Sequence, residues 1–242
     1  MNKFNYFKKV KFLVVYTFFY LISAELAIGQ SLSNEILLNL ENGLNKRDFG
    51  VIQKYFEEKE SIKIKNRYSK LIKDFPNSQW EIENKRSIKL EKDYASVKIS
   101  GSKIINGKEF ILESNFNYYY SFRNGKIQNG LIKNHLTTIR NDKNLLDITF
   151  SIPNNVLTGS QYDIDIIIKK PLEDNIIAGG IKSHQIDSII KESIKLEPLV
   201  SGGIFKVTRA PSKPGIQIWS GIIAHPEGLI SFTKTVNILE DK

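Results

Sequence analysis

The stretch between two Asn-Gly pairs constrains the fold of this chain more than any other feature. From Phe110 to Phe122 every second residue except Ser114 is apolar or aromatic, while the residues between them are mostly polar. A period of two is typical of a strand with one buried face. Asn106-Gly107 and Asn124-Gly125 flank the stretch, and Asn-Gly accepts the positive φ angles of a tight hairpin turn. The pattern predicts an antiparallel meander with one apolar face to be covered.

The segment before the meander has the spacing of amphipathic helices. In "SNEILLNLENGLNKRDFGVIQKYF" the apolar residues recur every three or four positions, which predicts helices with one buried face. Ser33 is the predicted N-cap, residues 43–48 form a break, and Pro76 ends the helical part. The charged stretch from Glu57 to Arg67 is interpreted as a solvated surface. These helices are expected to cover the apolar face.

Helices followed by a meander predict an α+β first domain over residues 31–141. The helical opening, "YASVKISG" and "FILESNFNYYYSFRNGKI" together resemble the NTF2-like family. This resemblance implies N-terminal helices packed on a curved antiparallel sheet, with a cone-shaped pocket between them. Some members use that pocket for catalysis and others only for binding, so the fold alone does not choose a function.

A second unit is predicted over residues 145–242, where short alternating runs are separated by Gly and Pro. "LLDITFSIP", "QYDIDIIIKKP" and "IQIWSGIIAHPEG" are such runs, and together they favour an all-β sandwich. The unit resembles a bacterial immunoglobulin-like domain without the cysteines of true immunoglobulin domains, and Trp219 is its candidate core aromatic. The combination is similar to uncharacterised exported bacterial proteins.

The first 29 residues have the pattern of a signal peptide. A lysine-rich start precedes an apolar run from Phe12 to Ile22, and Ala27-Ile28-Gly29 offers a small-x-small cleavage site. The run is shorter than the roughly 20 apolar residues that span a bilayer. We therefore expect export to the periplasm or the outside of the cell. The alternative is an uncleaved N-terminal segment that anchors the protein in the membrane.

Charge and cysteine content exclude several classes of function. The formal net charge is +9, but the lysines are scattered and interleaved with glutamates, and no nucleic-acid-binding motif is present. No nucleic-acid partner is expected. The sequence has no cysteine, which excludes disulfides, thiolate nucleophiles and Cys-ligated metals.

The candidate ligand-binding residues are Tyr118, Tyr120, Trp80 and His135. The two tyrosines lie on the apolar face of the predicted central strand, and Trp80 lies on that of an earlier strand. By parity, His135 shares a face with Ile127, Leu131 and Ile139 and is predicted to point inward. The face from Phe110 to Phe122 carries no carboxylate, so a general base is missing and no catalytic residue is predicted.

No metal or cofactor is expected. The three histidines, His135, His184 and His225, lack the spacing of a zinc site. A group of acidic residues on the second unit lacks the glycine-containing loop of a calcium site, which favours solvated carboxylates. These residues are Asp147, Asp163, Asp165 and Glu173.

The sequence therefore predicts an exported, non-catalytic binding protein, whose partner is a small apolar ligand in the pocket or another protein. The alternative is a pocket enzyme of the isomerase or hydrolase type that uses Tyr118, Tyr120 and His135. A third hypothesis is a homodimer formed through the open sheet face that carries Asn117 and Tyr119.

Overall fold

A computed structural model describes residues 33–87, 92–141, 146–169, 176–185, 193–199, 202–226 and 228–241. The predicted signal peptide, residues 1–29, lies outside the described residues. So does the predicted boundary between the two units, at residues 142–145. Both stay predictions.

Three helices open the described part of the chain: α1 (Asn34–Asn45), α2 (Gly50–Tyr55) and α3 (Glu58–Asp74). Ser33 caps α1 as predicted, because its Oγ accepts a hydrogen bond from the Ile36 amide at 3.3 Å. The predicted break between α1 and α2 and the predicted end before Pro76 are confirmed. None of the described helices is both long enough and apolar enough to cross a membrane.

Twelve strands follow in the described residues. Asn106 and Gly107 join the second strand to the third with φ angles of 51° and 76°, and Asn124 and Gly125 join the third to the fourth with 51° and 72°. Both predicted Asn-Gly hairpins are thus confirmed. The strands are β1 (Gln79–Ser87), β2 (Lys92–Ile105), β3 (Lys108–Arg123), β4 (Lys126–Arg140), β5 (Ile148–Ser151), β6 (Asn155–Leu157), β7 (Gln161–Ile168), β8 (Ala178–Gln185), β9 (Glu197–Pro198), β10 (Gly203–Arg209), β11 (Gly215–His225) and β12 (Gly228–Leu239).

One large sheet runs through both halves of the chain. Its strand order is β1-β2-β3-β4-β12-β11-β8-β9, and β6 also pairs with β12. The junction is antiparallel pairing of Leu136–Arg140 on β4 with Ile230–Lys234 on β12. Strands β10, β7 and β5 form a separate three-stranded sheet.

This architecture overturns the predicted fold class. Of the described residues, 59% are in strands and only 19% in helices, so an NTF2-like α+β domain followed by a separate sandwich is wrong. The physical reason lies at β4, where a free strand edge would expose unpaired N–H and C=O groups. Strand β12 pairs along that edge and makes the two halves share one sheet.

The large sheet contributes to two hydrophobic cores. In the first core, apolar residues of the three helices pack with those of β1–β4. In the second core, the three-stranded sheet packs with β8, β11 and β12. Trp219 lies in the second core and is 2% exposed, which confirms it as the core aromatic. Because strand side chains alternate, the neighbouring Ile218 faces the first core instead.

Candidate ligand cavity

A cavity of about 570 Å³ lies between the helices and the large sheet. Its walls come from all three helices, from β1–β4 and from short parts of β11 and β12. Most of the lining is aliphatic or aromatic, as with Leu40, Ile52, Val97, Phe116 and Ile218. The volume falls within the roughly 300–1,000 Å³ that is typical of small-molecule sites.

Tyr118 and Tyr120 both line this cavity. Their rings are stacked, with centroids 6.3 Å apart, and Phe56 meets the Tyr118 ring edge-on at 6.1 Å. The Tyr118 hydroxyl donates a hydrogen bond to Glu60 Oε1 at 3.4 Å. Burial raises the pKa of Tyr118 well above its ordinary value, and the Glu60 charge raises it further. Tyr118 is therefore a neutral hydrogen-bond donor at physiological pH.

Gly130 on β4 sets the position of the Tyr118 ring. A Cβ atom on Gly130 would lie 1.8 Å from the Tyr118 hydroxyl oxygen and 2.4 Å from Cζ. Any side chain there would displace the ring, so the close approach of the tyrosine to the strand requires glycine.

His135 also lines the cavity. Its inward orientation does not follow from an uninterrupted alternation of side chains along β4, because the strand is irregular. The pairing of β3 with β4 shifts register twice, and Asn129 and Asn134 have positive φ angles. Each shift moves the side chains of β4 to the other face. Two shifts cancel at His135, so its predicted inward direction is correct. Between the shifts, Leu131 pairs with Tyr119, and it also contributes to the lining of the cavity.

The imidazole of His135 is held by a chain of hydroxyl groups. His135 Nε2 lies 2.7 Å from Thr137 Oγ1, which in turn lies 2.6 Å from the Oγ of Ser114. Burial lowers the pKa of His135 to about 4, with smaller contributions from the positive charges of Lys234 and Arg67. The imidazole is therefore neutral at pH 7.

Trp80 on β1 is the fourth predicted residue that lines the cavity. Asn45, at the end of α1, fixes its backbone by bonding the Trp80 amide at 2.8 Å and the Trp80 carbonyl at 3.0 Å. The ring packs edge-on against Tyr68 at 5.7 Å. The structure thus brings together all four residues that were predicted from the sequence. Their binding of a ligand stays a prediction.

Sequence reasoning missed the charged residues that α3 contributes to the cavity. Glu60, Lys63 and Arg67 line it together with Ile64 and Leu71, although this stretch was interpreted as a solvated surface. Lys63 Nζ lies 3.8 Å from Glu60 Oε2, and Arg67 is exposed. The signal was present in the sequence, since positions 60, 63, 64, 67 and 71 share one helical face.

The cavity holds few groups that could perform acid–base chemistry. Glu60 is the only carboxylate among the described lining residues, and it is engaged by Tyr118 and Lys63. Within the described ranges, no three His, Asp or Glu residues lie close enough to hold a metal ion. The arrangement is suited to enclosing an apolar group and offering hydrogen bonds at a polar patch.

The outer face of the sheet carries the residues of the dimer hypothesis. Tyr119 stacks on Tyr94 of the neighbouring strand, with centroids 4.9 Å apart, and Lys133 Nζ lies 5.2 Å from the Tyr119 ring centroid. Asn117 lies on the same strand, two residues before Tyr119. Assembly through this face stays a prediction.

Part of the chain matches a known family model. Residues 143–239 match a family model described as a domain of unknown function, DUF8623. No curated protein matches the chain. The matched region spans β5–β12, and among its described residues Ile216, Ile218 and Thr235 line the cavity. Most of the cavity therefore lies outside the region that the family model describes.

Proposed function

We propose that this protein is an exported, non-catalytic binding protein that holds a small ligand with a large apolar part in the cavity. The observation that carries the proposal is the space of about 570 Å³ with a mostly aliphatic and aromatic lining. Export is supported by the basic and apolar pattern of residues 1–29.

The energetics of burial favour an extended or bulky hydrocarbon ligand. Each methylene group that leaves water gains roughly 0.8 kcal/mol, so about ten of them gain about 8 kcal/mol. Association itself costs roughly 4–15 kcal/mol in lost freedom. Apolar burial alone therefore gives weak binding, and the polar patch of Glu60, Tyr118 and His135 has to add directional contacts.

The test is titration with N-phenyl-1-naphthylamine, a neutral dye that fluoresces in apolar surroundings. We expect saturable binding, with energy transfer from Trp80, which lines the cavity. Ala95→Phe should fill part of the cavity and weaken binding at least tenfold. The matched control is Ser96→Phe, because Ser96 is the next residue on β2 and its side chain points to the opposite face.

Two results would count against this proposal. One is a parent protein that shows no saturable dye binding after any co-purified ligand has been removed. The other is equal loss of binding in Ala95→Phe and Ser96→Phe, which would mean that the dye does not enter the cavity.

A second candidate function is an enzyme of the isomerase or hydrolase type. It is favoured by one observation, that Tyr118, Tyr120 and His135 line the same cavity, with His135 linked through Thr137 to Ser114. A general base works best with a pKa near the working pH, whereas burial places that of His135 at about 4. Binding without catalysis is therefore the better supported function.

Hydrolysis of p-nitrophenyl esters with acyl chains of four to twelve carbons tests this second candidate. An enzyme should turn over at least one ester, and His135→Gln should abolish turnover while dye binding persists. Absence of turnover in the parent, or turnover unchanged in His135→Gln, removes the hydrolase form of the candidate.

A further inference from the structure

We propose that the ligand of the cavity is an amphiphile with an anionic head group, such as a long-chain carboxylate, and that Arg67 on α3 receives this head group. The inference rests on the proposed binding function and names the chemical class of the ligand.

The charged side chains at the cavity leave a net positive charge. Three charged side chains line it in the described residues: Glu60, Lys63 and Arg67. Lys63 lies 3.8 Å from Glu60, whose other oxygen accepts the bond from Tyr118. Arg67 forms no ion pair with any other residue that the structure describes. The charge left without a partner is therefore positive.

Arg67 lines the same cavity as Tyr118 on β3 and His135 on β4. Glu60 is bonded to Tyr118. Glu60, Lys63 and Arg67 share one face of α3, so the charged lining groups come from one side of the cavity, where the exposed Arg67 also meets solvent.

The remainder of the cavity lining is apolar. Away from the polar groups, helices α1 and α2 contribute Leu37, Leu40, Leu44 and Ile52, which face the aliphatic and aromatic side chains of the sheet. No carboxylate other than Glu60 is found among the described lining residues. A cavity with a cationic, hydrogen-bonding end and an apolar body is complementary to a carboxylate with a hydrocarbon tail.

The chemistry of arginine favours this assignment over a neutral or cationic ligand. A planar guanidinium binds a carboxylate through two parallel hydrogen bonds, and such charge-assisted bonds are about twice as strong as neutral ones. An alcohol carries no charge and cannot form an ion pair with Arg67, and an ammonium group would be repelled by the Arg67 guanidinium.

The experiment compares three amphiphiles of equal chain length as competitors of N-phenyl-1-naphthylamine, below their micelle concentrations. We expect dodecanoate to displace the dye at a concentration at least tenfold lower than dodecanol or dodecylamine. Among carboxylates from octanoate to dodecanoate, affinity should rise about fourfold per methylene group.

Variants on α3 then identify the residue responsible. Arg67→Gln should remove the preference for dodecanoate, because the affinity for dodecanoate should fall at least tenfold more than the affinity for dodecanol. Lys70→Gln is the matched control, since Lys70 is an exposed cation on the same helix and does not line the cavity. Both positions are exposed, and circular dichroism with urea unfolding checks that both variants fold.

The outcomes separate this inference from the proposed function. If the dye binds and the three competitors displace it equally, or if Arg67→Gln and Lys70→Gln behave alike, the anionic assignment is overturned while the binding function stands. Preference for dodecylamine would overturn it as well. If neither dye nor amphiphile binds the parent, both proposals fail.

Discussion

Replacing Ala95 by leucine is the most direct check that the cavity exists. Ala95 lies on β2 opposite Tyr118, is 4% exposed and lines the cavity. Leucine adds three carbon atoms at this point. If they enter open apolar space, burial at roughly 0.8 kcal/mol per group stabilises the protein by up to about 2 kcal/mol. In a filled core, the same atoms cost about 1–3 kcal/mol through overpacking.

The two cases differ in sign, so urea unfolding followed by circular dichroism distinguishes them. The matched control is Ala210→Leu, because Ala210 is 5% exposed in the second core and does not line the cavity. We expect Ala95→Leu to raise the free energy of unfolding and Ala210→Leu to lower it. The protein should first be refolded from guanidinium chloride to remove any bound ligand, since a ligand would itself stabilise the folded state.

A single result would refute this reasoning. If Ala95→Leu lowers the free energy of unfolding as much as Ala210→Leu does, with an unchanged denaturant slope, the space beside Ala95 is filled. The proposed binding function would then lose the observation that carries it. A stabilised Ala95→Leu that also binds the dye more weakly than the parent would support both the cavity and its role.

Three further changes test the site and the cores by urea unfolding. The pKa of His135 is about 4 in the folded protein against an ordinary 6.5, so only the unfolded chain takes up this proton as pH falls. The free energy of unfolding should therefore fall by up to about 3 kcal/mol from pH 6.5 to pH 4, and His135→Gln should lack this part of the decline. If the free energies of unfolding of the parent and of His135→Gln change with pH in the same way, this expectation is contradicted. Gly130→Ala should cost about 1–3 kcal/mol because its methyl group meets the Tyr118 ring. In the Tyr118→Ala background, Gly130→Ala should cost much less free energy of unfolding, because the ring is gone. If the costs of the two substitutions simply add in the double variant, the clash is contradicted. Tyr162→Phe should lower the free energy of unfolding by about 1–3 kcal/mol, because the Tyr162 hydroxyl accepts a hydrogen bond from the buried Trp219 Nε1–H at 2.9 Å. A decrease below about 0.5 kcal/mol would argue against that bond.

Features that depend on residues close together in the chain were predictable from the sequence. The Asn-Gly turns, the Ser33 cap and the inward face of Tyr118 and Tyr120 follow from local backbone preferences and from the period of a strand. His135 was placed correctly only because two register shifts in β4 cancel. Parity counting along a strand fails wherever an odd number of such shifts intervenes.

The pairing of β4 with β12 was not predictable in the same way. The period of a strand indicates which side chains share a face, but it does not say which strand lies alongside. The two paired segments, Leu136–Arg140 and Ile230–Lys234, are far apart in the chain. Their pairing is therefore a long-range contact that local sequence patterns do not indicate. That one pairing turns two expected domains into a continuous sheet, which is why the predicted fold class was wrong.

Helix α3 shows why the charged end of the cavity was missed. Only Ser61 and Tyr68 are buried among its 17 residues, whereas a helix packed flat on a sheet would bury a full apolar stripe. In the sequence, the many charged residues of α3 resemble those of a helix that is exposed to solvent. In the structure, Ile64 and Leu71 of α3 pack against the first core and also line the cavity, which Glu60, Lys63 and Arg67 line beside them. The few apolar side chains of α3 therefore share the cavity lining with charged ones, and Arg67 is among them.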